Sequence, residues 1–107
     1  MSQWAYLTAL AVTLICEAPI VVLGYRNIAP LGRIGASVVA VNAFTHGLLW
    51  MVQPRTTARL AAAEAIILLV EAGLYARLLG GGARRALVVS LAANVLSLAV
   101  GMLIAET

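Results

Sequence analysis

Residues 61–75, AAAEAIILLVEAGLY, decide how the rest of the chain is read. They form an apolar helical stretch with few places for charge, yet Glu64 and Glu71 both lie in it. Seven residues make two helical turns, so the two carboxylates fall within about 20° of each other on one face and ~10 Å apart along the axis. The chain has four acids in all. Glu17 sits inside another apolar segment and Glu106 near the C-terminal end. Three acids therefore occupy places where a charge costs about 2.5–3.5 kcal/mol if it faces lipid.

Working outward, the composition explains why such places exist. Of 107 residues, 64% are hydrophobic and 10% charged, whereas a water-soluble domain carries about 25% charged residues. The expected fold class is all-α: a polytopic integral membrane four-helix bundle, with residues 1–107 forming a single transmembrane domain in contact with the lipid bilayer. Spans are expected at about residues 4–25, 34–52, 58–79 and 86–104, each near the ~20 residues that cross a bilayer. Breakers mark the connections: Pro30 and Gly32, then Pro54, then the glycine run that opens at Gly80. Thr56 or Thr57 is positioned to cap the third span. The net charge of +3 comes from seven basic residues, all arginines scattered at span ends, which excludes a nucleic-acid partner. Cys16 is alone and reads as a small packing residue. The first 20 residues lack a basic leader and a small-x-small cleavage site, so they read as a retained first span.

Arginine placement orients the spans. Arg26, Arg33, Arg77, Arg84 and Arg85 belong to the first and third connections, and only Arg55 and Arg59 to the second. The heavier side is expected in the cytoplasm, which leaves both termini outside it. Trp4, Tyr6 and Trp50 then fall at outer ends and Tyr25 and Tyr75 near inner ones, as interfacial anchors, while Arg59 and Arg77 snorkel from the ends of the third span.

An internal repeat of two helical hairpins is also suggested. Glu17-Ala18-Pro19 is echoed by Glu71-Ala72-Gly73, and Asn42-Ala43-Phe44-Thr45 by Asn94-Val95-Leu96-Ser97. Parallel repeats of this kind are related by an axis along the membrane normal, which would set Glu17 opposite Glu71 and Asn42 opposite Asn94.

Counting ~1.5 Å per residue from each span centre puts Glu17 and Glu71 at one depth, Asn42 and Asn94 at the midplane, and His46 and Glu64 together on the outer side. Two carboxyls close together in a low dielectric do not both ionise readily, so Glu17 and Glu71, with Asn42 and Asn94, form the expected proton- or cation-binding site. His46 with Glu64 is expected either as an imidazolium–carboxylate pair or as a metal pair, a divalent ion being the one cofactor class considered. Thr45 and Tyr75 support the site as neutral partners. Pro19 supports it by leaving the Ile15 carbonyl without its helical donor, which would offer a further ligand. A lone membrane Asn, Ser or Thr ordinarily serves only as interhelical glue, so the weight lies on the convergence of the glutamates. Small residues at Ala93, Ser97 and Gly101, and at Ala61 and Ala65, suit close helix packing, and four short spans enclose little volume; a homo-oligomer is therefore expected.

In size, four-helix layout and the placement of Glu17 in the first span, the chain is similar to the small multidrug resistance exporters, a resemblance of layout that implies dimeric assembly. The expected function is cation handling, by a transporter or ion-conducting bundle. Two alternatives stand beside it. One is a metal-dependent intramembrane enzyme built on His46, Glu64, Glu71 and Glu17, although metal hydrolysis usually takes about three protein ligands and often more than one His. The other is an accessory subunit of a larger membrane complex, its polar groups only locking helices.

Overall fold

The computed structural model describes residues 3–52 and 56–105, without the side chains of residues 3–6, 57, 101, 102, 104 and 105. Pro54, Arg55, Glu106 and the side chains of Trp4, Tyr6 and Gly101 thus lie outside the described residues. Everything described is helix or tight turn: α1 Gln3–Tyr25, α2 Leu31–Val52, α3 Thr57–Leu79 and α4 Gly82–Ala105.

Local chemistry sets the ends. Thr56 caps α3, its hydroxyl accepting from the Arg59 N–H at 3.1 Å, the usual use of a Thr before a first turn. Both α2 and α4 begin some residues before their expected starts at 34 and 86. Pro30 ends the turn and at once serves α2, since its carbonyl accepts from the Ile34 N–H at 3.0 Å and its own missing N–H is not needed there. After α3, Gly80, Gly81 and Gly82 have φ of 79°, 81° and 87°. Glycine alone enters this region without strain, so the reversal is completed in three residues. The Arg85 guanidinium also donates to the Gly24 carbonyl at 2.6 Å, satisfying one of the free carbonyls at the end of α1.

Each helix packs on two neighbours, α1 and α3 each on both α2 and α4. The four close a ring about 38 Å long, with α1 diagonal to α3 and α2 diagonal to α4. Three helices are long and apolar enough to cross a membrane, over Leu7–Tyr25, Leu31–Val52 and Gly82–Val100. In α3, Arg59, Glu64, Glu71 and Arg77 are spaced so that every 18-residue stretch holds three charges; α3 differs from the others in charge, not length.

Burial is inverted relative to a water-soluble protein. Ile15, Leu23, Phe44, Ile66, Leu69, Val88 and Val95 are exposed, while Thr13, Glu17, Ser37, Asn42, Thr45, Glu71 and Ser90 are buried. The two ends also differ. Val21, Tyr25, Ile34, Val38, Val41, Tyr75, Leu79, Ala86 and Val89 fill the end where the arginine-bearing turns lie. Toward the other end, beyond Thr13, Thr45, Glu71 and Ala93, no described side chain is buried.

One expectation changes here and another narrows. Tyr25 and Tyr75, read as interfacial anchors, are 0% and 1% exposed, with ring centroids 6.3 Å apart. Tyr75 lies one turn after Glu71 and shares its inward face, and Tyr25 fills the space across from it. Of the two uses open to the Ala93 and Ser97 ladder, within one chain or between copies, the intrachain one is seen, with Ala93 buried and the Ser97 hydroxyl donating to Thr13 Oγ1 of α1 at 3.4 Å.

Candidate functional site

All four helices contribute to one cavity of about 270 Å³, whose polar lining includes Glu17, Asn42, His46, Glu64, Glu71 and Asn94. Leu49, Ile67 and Leu98 form its apolar wall. Among the described residues the lining holds three carboxyls, one imidazole and no arginine.

Glu71 is the most firmly held group. Asn94 Nδ2 of α4 donates to its Oε1 at 2.9 Å, and the Thr45 hydroxyl of α2, whose single hydrogen is divided with the Asn42 carbonyl at 3.4 Å, reaches its Oε2 at 3.5 Å. A carboxyl on α3 thus ties both neighbouring helices together. Glu17, on the diagonal helix, is equally buried at 1% exposure, yet its Oε2 has no hydrogen-bond partner among the described residues.

The asparagines account for the contrast. Each turns one amide hydrogen back to the carbonyl four residues earlier, Asn42 to Val38 at 2.9 Å and Asn94 to Ser90 at 2.7 Å. A carbonyl only accepts, so this bond fixes which side of each amide is nitrogen. The other hydrogen of Asn94 goes to Glu71. Asn42 is also a hydrogen-bond partner of the Glu17 carboxyl, but its Nδ2 is shared with the Tyr75 hydroxyl, to which it donates at 3.3 Å, and its Oδ1 is left buried without a partner among the described residues.

The expected site residues therefore converge, in altered pairings. Asn42 and Asn94 share the cavity, but among the described residues no hydrogen bond joins them, nor His46 to Glu64. The two half-sites expected at different depths form a single cavity. Pro19 is exposed, Ile15 is 73% exposed, and neither lines the cavity, so the carbonyl freed by Pro19 belongs to the outer face. Among the described residues no three His, Cys, Asp or Glu side chains come close enough to hold a metal ion, which leaves His46 and Glu64 without a third ligand. Thr13 was not anticipated; its place one turn before Glu17, on the same face, is the signal that points to it.

Comparison of the chain with protein-family models, curated proteins and solved structures gives no match. The layout shared with the small multidrug resistance exporters is thus not backed by a family match, and function is argued from the cavity's own chemistry.

Proposed function

We propose that this chain is an integral membrane protein built as a four-helix bundle of two repeated hairpins, and that its cavity takes up and releases a cation, the proton foremost, in transport or conduction. One observation carries this reading: Glu17 and Glu71 lie on diagonal helices, each 1% exposed, in one cavity whose lining, among the described residues, includes no arginine. Buried carboxyls without a cationic partner need a proton or a bound cation to balance them. The proton is favoured over a metal because the described acids and His46 do not form a three-ligand cluster.

Within the pair, Glu71 is the positioning carboxyl, held by Asn94 and Thr45, and Glu17 is the exchanging one, with an oxygen free to take a proton or cation. The bilayer placement is supported by the exposed apolar faces and by three helices of spanning length. The arginine-bearing turns are assigned to the cytoplasmic side with both termini outside. A homo-oligomer remains part of the proposal, because in the half beyond Thr13 and Thr45 no described side chain is buried and a second copy would enclose it.

The test is proton flux in vesicles carrying the purified protein, driven by an imposed ion gradient. Wild type is expected to conduct, and Glu17→Gln to lose flux by about 100-fold or more while keeping its helical circular dichroism. Wild-type rates in Glu17→Gln would remove the proposal.

A further inference from the structure

The cavity lining extends from Glu17, Asn42 and Glu71 away from the arginine end to Leu49, Glu64 and Leu98, and the packed half on the other side of these acids is apolar except for a few hydroxyls. We propose that Tyr75, Tyr25 and Ser90 form the second half of the path, a hydrated row joining the cavity to the arginine end, along which a proton is relayed; this rests on the proton reading of the cavity.

The row starts at the cavity floor. The Tyr75 hydroxyl accepts from Asn42 Nδ2 at 3.3 Å, which leaves its own proton to donate. Its ring lies against Tyr25 at 6.3 Å between centroids. Tyr25 is the last residue of α1, and the neighbouring Gly24 carbonyl accepts from Arg85 at 2.6 Å, so the row ends among the arginines. Ser90 flanks it on α4, one turn from Asn94 and bonded to it through its carbonyl.

Two of these hydroxyls are hard to explain as packing. Tyr25 and Ser90 are both 0% exposed, and neither the Tyr25 hydroxyl nor Ser90 Oγ has a partner among the described residues. A Phe and an Ala would fill the same space without an unsatisfied group. Buried hydroxyls in this condition hold water when a water reaches them, and water bridges polar groups too far apart to bond directly. The relay is balanced: each hydroxyl or water accepts a proton on a lone pair and releases its own from the far side. The phenols stay neutral and no co-reactant is consumed.

The test uses the full chain in lipid vesicles and two readouts. Proton flux is measured for wild type, Glu17→Gln, Tyr25→Phe and Ser90→Ala, and the Tyr25→Phe and Ser90→Ala rates are expected to fall by about tenfold or more. In a Cys16→Ser background, Ser90→Cys is treated with a small membrane-impermeant thiol reagent, and reaction from the arginine side is expected. Wild-type flux in both hydroxyl variants, with Glu17→Gln inactive and Ser90→Cys unreactive from that side, would overturn the row and keep the carboxyl cavity. Reaction of Ser90→Cys from the arginine side in a protein that carries no protons would support the hydrated row and overturn the proton reading of the cavity.

Discussion

The hairpin of α1 and α2 and the hairpin of α3 and α4 carry the same polar skeleton. Glu17 stands beside Asn42 and Glu71 beside Asn94, and both asparagines turn back to the carbonyl one turn earlier. The difference lies one turn after each glutamate, where α1 has Val21 and α3 has Tyr75. The Tyr75 hydroxyl competes with Glu17 for the hydrogen of Asn42 whose counterpart on Asn94 goes to Glu71. On the proposed reading, this exchange of Val for Tyr loosens the hold of Asn42 on Glu17 and so separates the anchored carboxyl from the exchanging one.

The strongest way to break this comparison is to neutralise each acid in turn. Glu17→Gln is expected to abolish flux at little cost to stability. Glu71→Gln is expected to lower unfolding stability by ~1 kcal/mol as well, since it weakens bonds to two helices; equal losses of stability in both variants would remove the distinction. A second contrast lies at Gly24, where an added Cβ would stand 2.5 Å from Val89 Cγ2. Gly24→Ala should cost about 1–3 kcal/mol by overpacking, while Leu78→Ala, at the matching and exposed place in α3, should cost less than that in a parallel detergent unfolding series. Tyr75→Phe sharpens the comparison itself. It leaves the second amide hydrogen of Asn42 to Glu17 alone, so the Glu17 carboxyl stretch should shift in the infrared with stability changed by no more than ~1 kcal/mol; an unmoved band would mean that Tyr75 does not compete for Asn42. Pro19→Ala, on the outer face, is expected to leave flux at the wild-type rate.

The four helices and their turns are legible in the sequence because apolar runs, Thr56, Pro30 and the glycine run at Gly80 act locally. The convergence of Glu17, Asn42, Glu71 and Asn94 is legible as well, since i, i+4 spacing gives each residue a face and rise gives it a depth. Partner choice is not legible in this way. Whether Asn42 meets Asn94 or Tyr75 depends on how far each helix turns about its axis, which spacing within one helix does not record. The same limit applies to Tyr25 and Tyr75: an aromatic residue near a span end has the same sequence context whether its ring meets the interface or a neighbouring helix. Glu64 and His46 share the cavity with Glu71 because the ring of helices closes around a single space, a property of the assembled bundle and not of any one segment.

The most direct test of the central claim is acid-induced infrared difference spectroscopy on the protein in lipid vesicles, comparing wild type with Glu17→Gln and Glu71→Gln. Glu17 as the exchanging carboxyl predicts a protonation band that is absent from Glu17→Gln and present in Glu71→Gln. A band that survives Glu17→Gln and vanishes in Glu71→Gln would contradict it.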